Sequence, residues 1–210
     1  MDLGDCSHGG QQVGLAAGAK HRIVGGAVWL LAAGSLALGV GACGSAPSSH
    51  AAPPLTVHEY VSLLDGGMVD NPGWPQLVPA DLTLPAHATV VLTITSYDEG
   101  SAPLGSASSP FLEVTGGSET ANGVSISAVP NTQIAHTFTV PGLGLNAPIP
   151  AATTAPKGQP LTPEIVVFTF KTGAAGSYTW RCETPCGSGP KGMGGPMDTK
   201  GYMMGTVTVN

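Results

Sequence analysis

Charge is what this 210-residue chain has least of: Asp, Glu, Lys and Arg together make up 10% of it, against about 25% in an ordinary soluble domain. Surface helices normally carry Glu and Lys on their exposed faces, so this scarcity argues for strands and turns, as does the wealth of Gly, Pro, Ala, Ser and Thr. With seven Lys and Arg, a formal charge of −6 and no basic cluster, the chain lacks the electrostatic footprint of a nucleic-acid binder. It also lacks a GxSxG elbow and an HExxH motif, so a hydrolase is not expected. The Asp98-Glu99 pair ahead of Gly100 reads as solvated turn surface, because charges in such turns rarely lose water. No histidine follows His136. The length allows one ordinary domain and an N-terminal extension.

What is present at the N-terminus points to export. Lys20, His21 and Arg22 precede an uncharged run from Ile23 to Ala42 that ends at Cys43, the order of parts in a secretory signal. The end of that run, Val40-Gly41-Ala42-Cys43, resembles a bacterial lipobox, although a bulkier residue usually stands where Gly41 is. That resemblance implies lipidation at Cys43. A plain transmembrane anchor remains open, since twenty apolar residues can just span a bilayer. Residues 1–43 are thus taken as the signal or anchor, and 44–54, a Ser/Ala/Pro stretch unable to bury a core, as a tether.

Residues 55–74 are expected to form a short helix and a lead-in. Thr56-Val57-His58-Glu59 has capping-box spacing, and Val57, Tyr60, Val61 and Leu64 fall at helical intervals before Gly66-Gly67. From Gln76 onward the period turns to two. Val90, Leu92 and Ile94 share one face of Ala88 to Tyr97, the mark of a half-buried antiparallel strand. Similar runs recur at 111–115, 124–128, 134–140, 164–170, 177–182 and 202–209, with turn residues between them. The expected fold is all-β, a Greek-key sandwich or small barrel over 75–210. The Pro/Ala-rich stretch Pro141 to Gln159 shows no strand pattern and is expected to be a long loop, a lid or a partner-facing segment.

Phase then places the chemistry. A period of two puts Tyr178, Trp180 and Cys182 on one side and Arg181 on the other. It also sets His136 between Ile134 and Phe138 on an apolar face. A buried imidazole needs a partner, either a hydrogen-bonding group or a metal. One inward histidine beside Cys182, Cys186, Met193 and Met197 is a soft donor set of the kind copper prefers. Zinc is expected to want a closed set of four, and iron-sulfur clusters need more cysteines than the mature chain would keep. A Cys182–Cys186 disulfide with no metal is the alternative, because two nearby cysteines outside the cytoplasm tend to oxidise.

Together AHTFTV at 135–140, GSYTWRCETPCG at 176–187 and the closing GYMMGTVTV at 201–209 resemble a cupredoxin, with spacing similar to the binuclear copper (CuA) domain of cytochrome oxidase subunit II. The resemblance implies His136, Cys182 and Cys186 as ligands, a backbone carbonyl at Thr184, and Met193 as thioether ligand with Met197 in reserve. It places a second histidine where this chain has Pro190, so a copper site here either uses fewer imidazoles, borrows His87, His58 or a partner's group, or has been lost. The implied role is electron transfer or copper handling at the outer face of the cell membrane or in the periplasm, alongside a redox or copper-handling partner, rather than catalysis. The alternative is a metal-free cupredoxin-like module that binds a partner.

Overall fold

The computed structural model describes residues 53–69, 73–154, 156–157, 159–187 and 194–210. The export segment with Cys43, most of the tether, Pro190 and Met193 lie outside the described residues. Among the described residues, strands β1 (Thr56–Leu64), β2 (Gln76–Val78), β3 (Leu82–Leu84), β4 (Thr89–Ser96), β5 (Gly117–Ala121), β6 (Val124–Ile126), β7 (Ile134–Val140), β8 (Leu145–Pro150), β9 (Glu164–Lys171), β10 (Gly176–Arg181) and β11 (Met204–Val209) build two sheets. One has the order β2-β1-β4-β9-β5-β6, the other β3-β11-β10-β7-β8. The only helical pieces among those residues are short 3-10 turns, and no described helix is long and apolar enough to cross a membrane. The chain is an all-β sandwich, as its period-two pattern implies.

Inward side chains from both sheets meet in one core. Val90, Leu92 and Ile94 of β4 and Val166, Phe168 and Phe170 of β9 face Phe138, Val140, Trp180, Val207 and Val209 across it. Phe138 and Trp180 lie with ring centroids 5.2 Å apart, and the Trp180 indole donates to the Ala80 carbonyl. Gly205 is required beside them: a Cβ there would overlap the Ala80 carbonyl and the indole nitrogen. The aromatic pair therefore anchors β7 and β10, the strands that carry His136 and lead into Cys182.

Three local expectations fail, each for a physical reason. The segment expected to be the N-terminal helix is β1, which runs parallel to β4 through eight residue pairs, Thr56↔Thr89 to Leu63↔Ser96. A helix of two turns is marginal by itself. Pairing with β4 instead satisfies the backbone and buries Val61 and Leu63, a case of tertiary context overriding local pattern. Residues 106–112 form a 3-10 turn containing Pro110 rather than leading into a strand at 111, since proline has no N–H for a ladder; the strand begins at Gly117. Inside the expected loop, Leu145–Pro150 forms β8, antiparallel to β7. Its prolines are tolerated because β8 is an edge strand.

Among the described residues, the inner face also holds an unpartnered carboxyl group. Glu119 on β5 is 2% exposed, and neither carboxylate oxygen has a hydrogen-bond partner. Burial pushes its pKa up to about 8 from 4.5. The folded state thus holds its proton more tightly than the unfolded state does. The contribution of Glu119 to stability should fall as pH rises from about 4.5 to about 8 and level off above, by an amount on the order of a few kcal/mol. Urea midpoints of the wild type and Glu119→Gln, measured in parallel across that range, should diverge, the wild type losing stability relative to Glu119→Gln as pH rises and Glu119→Gln being the more stable of the two at pH 8.

Candidate metal centre

β7 is buried along its whole length, and a register shift between Ile134 and His136 interrupts the ladder beside the imidazole. His136 is 1% exposed and Cys182 is fully buried. Cys182 continues β10 by one residue, its N–H donating to the Met203 carbonyl at 2.9 Å. The chain then folds back against β7. The Glu183 N–H donates to Thr137 Oγ1 at 2.8 Å, and Thr184 Oγ1 donates to the Ala135 carbonyl at 2.7 Å. The Cys186 N–H closes a tight turn onto the Thr184 carbonyl at 2.8 Å. Arg181 and Glu183 add an ion pair at 3.0 Å on the outer side.

This folding-back brings three donors together. Cys182 Sγ lies 3.8 Å from His136 Nδ1 and 3.4 Å from Cys186 Sγ, and the ligand atoms of His136, Cys182 and Cys186 all fall within 4.8 Å of one another. Metal–donor bonds of about 2.0–2.3 Å accommodate such separations with little movement. The other ring nitrogen, Nε2, is 2.8 Å from Asp98 Oδ2. Beside the site a cavity of about 230 Å³ is lined by Asp65, Pro75, Asp98, His136, Pro185 and Cys186, among others, so Cys186 is the sulfur nearest to solvent.

The electrostatics follow from burial and contact. Burial disfavours the Cys182 thiolate, yet the hydrogen bonds from Cys186 and His136 and the charge of His136 outweigh it and hold this thiol well below its ordinary pKa. The Thr137 N–H, 3.5 Å from Cys182 Sγ, points the same way. Cys186 is pushed up, first because its S–H donates to Cys182 and then by burial. His136 is likewise disfavoured as a cation by burial, but the Asp98 and Cys182 contacts prevail and raise it to about 9. Asp98 is desolvated too, and His136 with the Gly100 N–H more than compensates, lowering it. Without metal, these contacts favour charge on Asp98, His136 and Cys182 and keep the proton on Cys186.

No family model matches this sequence, and no curated protein matches it. Among solved structures the chain is similar to auracyanin A, a "blue" copper protein from the green thermophilic photosynthetic bacterium Chloroflexus aurantiacus, with 15% identity over 74% of this chain and 99% of that one and a TM-score of 0.33. It is also similar to auracyanin B, at 17% identity over 76% and 92% with a TM-score of 0.32. Rusticyanin from Thiobacillus ferrooxidans matches at 16% identity over 75% and 79% with a TM-score of 0.30. Likeness at this level bears on neither fold nor function here; both rest on the strands and side chains already described.

Of the sequence-derived ligands, His136, Cys182 and Cys186 converge. Met197 sits on the 3-10 turn Gly195–Asp198 with its side chain in the hydrophobic core, and Met193 and Pro190 lie outside the described residues. His87 and His58 do not complete the shell. His87 precedes β4 and Asp98 follows it, so the strand's length, roughly 23 Å, separates them; His58, an exposed residue of β1, pairs with Val91 near the same far end. The residue that sequence reasoning missed is Asp98. Its neighbour Glu99 is exposed as expected, but Asp98 continues the inward phase of Val90, Leu92, Ile94 and Ser96, and that parity was the available signal.

The two sulfurs are free thiols about 1.4 Å beyond disulfide bonding distance. Mild oxidation should therefore yield a monomer lighter by two hydrogens, read by intact mass. In the reduced protein both cysteines should resist a thiol-alkylating reagent, Cys182 because it is fully buried and Cys186 because its thiol is held protonated, so that peptide mass mapping shows both modified far more slowly than in the urea-unfolded chain.

Proposed function

We propose that this chain is an exported, membrane-anchored copper-binding protein of the cupredoxin type, acting in electron transfer or copper handling and not as an enzyme. The observation that carries the reading is the convergence of His136 Nδ1 with the sulfurs of Cys182 and Cys186 inside a β-sandwich. Two thiolates and one imidazole are soft and borderline donors that favour Cu(I). Three such donors fall short of the four that a structural zinc site takes.

In this reading His136 offers Nδ1, Cys182 is the buried thiolate, and Cys186 is the thiolate at the solvent side. A methionine supplies the remaining donor, Met193 in preference to Met197, and the Thr184 carbonyl, 3.9 Å from Cys182 Sγ, is a weaker candidate. Copper held there supplies one-electron chemistry or a transferable ion. The protein's part is to keep the donors dry and fixed: Thr137, Thr184 and the Met203 carbonyl pin the loop, and Phe138 and Trp180 hold the strands beneath it. Export rests on the basic-then-apolar order of residues 20–42, and anchoring on Cys43 as lipidation site. The partner is a redox protein or a copper donor or acceptor outside the cytoplasm.

A second reading has one observation in its favour, the 3.4 Å between the sulfurs. A Cys182–Cys186 disulfide would leave a metal-free module that binds a partner through another surface.

Titrating the reduced full chain with Cu(I) and Cu(II), with affinity and visible spectrum recorded together, separates the two. Copper binding at one equivalent is expected, with thiolate-to-copper absorption in the Cu(II) form. Cys182→Ser should abolish that absorption, and His136→Ala, which removes a donor outright, should weaken binding by more than the about 10–100-fold that loss of an outer-shell partner costs. A chain that binds no copper and is isolated as the disulfide without reductant would favour the metal-free module.

A further inference from the structure

Asp98 is the one group in this site that a ligand list leaves out, and its position is specific. It leaves the end of β4 in the six-stranded sheet and reaches His136 on β7 in the five-stranded sheet, Oδ2 to Nε2 at 2.8 Å. The imidazole is 1% exposed and the carboxylate side chain 15%, so water competes little for the contact. The Gly100 N–H donates to the other oxygen, Oδ1, at 2.7 Å, which fixes the carboxylate's orientation. Both oxygens are thereby committed, one to its own turn and one to the ring.

An imidazole has two nitrogens, and only one of them faces the sulfurs. In the neutral ring that a metal requires, with Nε2 donating its proton to Asp98, the lone pair is left on Nδ1, the atom 3.8 Å from Cys182 Sγ. A hydrogen-bonded carboxylate behind a ligand histidine fixes its tautomer, holds the ring plane and raises its basicity as a donor. Here the partner comes from the opposite sheet, so the packing of the sandwich sets the direction of the nitrogen.

We propose that Asp98 is a positioning residue of the metal centre: it holds His136 as the Nε2–H tautomer with Nδ1 presented to the Cys182/Cys186 sulfurs, and thereby strengthens metal binding without touching the metal. The inference rests on the copper-binding reading above. It predicts that the contribution passes through the ring, so that hydrogen bonding and negative charge at position 98 can be separated.

The test compares the full chain with Asp98→Ala and Asp98→Asn, using Cu(I) alone as the probe, competed against a chromophoric Cu(I) chelator, with ring-nitrogen NMR of His136 in the diamagnetic Cu(I) form. In the wild type the Nε2 proton should be observable and slow to exchange. Asp98→Ala should lose that protection and bind Cu(I) about 10–100-fold more weakly. Asp98→Asn, whose amide oxygen can still accept from Nε2–H, should keep the protected proton and recover part of the affinity. A merely structural role would not give this split, and Asp98→Asn keeps the comparison decisive if Asp98→Ala does not fold. Wild-type affinity and an equally protected Nε2 proton in Asp98→Ala, with Cys182→Ser still abolishing binding, would overturn the role of Asp98 alone. Asp98→Asn as weak as a folded Asp98→Ala, and without the protected proton, would also overturn it. Failure of the wild type to bind Cu(I) would overturn the copper reading and this inference with it.

Discussion

The rest of the site depends on a buried imidazole having both of its nitrogens met. A histidine with 1% exposure cannot turn to water for its hydrogen bonds, and an unmet polar group in such surroundings costs on the order of 1–3 kcal/mol. The sandwich meets the requirement from two directions, with Asp98 on one side of the ring and Cys182 on the other. That demand fixes where β4 must end, how far β10 must run before it turns, and which way the Cys182–Cys186 loop folds. The three hydrogen bonds that tie Cys182, Glu183 and Thr184 to Met203, Thr137 and Ala135 are the means by which the loop complies.

The apolar and the polar parts of the molecule therefore serve one arrangement. Trp180 and Phe138 pack tightly enough that Gly205 must give way to the indole, and two residues beyond Trp180 the same inward phase delivers a sulfur instead of a ring. On the opposite sheet the inward phase of β4 delivers first Val90, Leu92 and Ile94 and then a carboxylate. Where the two inward rows run out at the same end of the sandwich, sulfur, imidazole and carboxylate meet in place of hydrocarbon, beside a small cavity that leads to Cys186. Glu119 shows the opposite case: an inward carboxylate with no partner, which keeps its proton well above the usual range.

Short-range pattern in the sequence was enough for the strands, the inward phase of His136 and Cys182, and the closeness of Cys186 four residues on, because each of these depends on a period of two or on chain spacing. It was misleading for β1, whose helical spacing lost to an available neighbour, and for β8, whose prolines hide a strand that only an edge position permits. It gave Asp98 to solvent, because a turn charge is ordinarily wet and nothing local reveals that a second sheet covers it. What the sequence by itself determined is a β-sandwich with one histidine and one cysteine facing inward and a second cysteine four residues on. Only the tertiary structure decided that they converge, that His58 and His87 stay at the far end, and that a carboxylate backs the imidazole, because those contacts join residues 38 to 46 positions apart on different strands and depend on how the sheets stack.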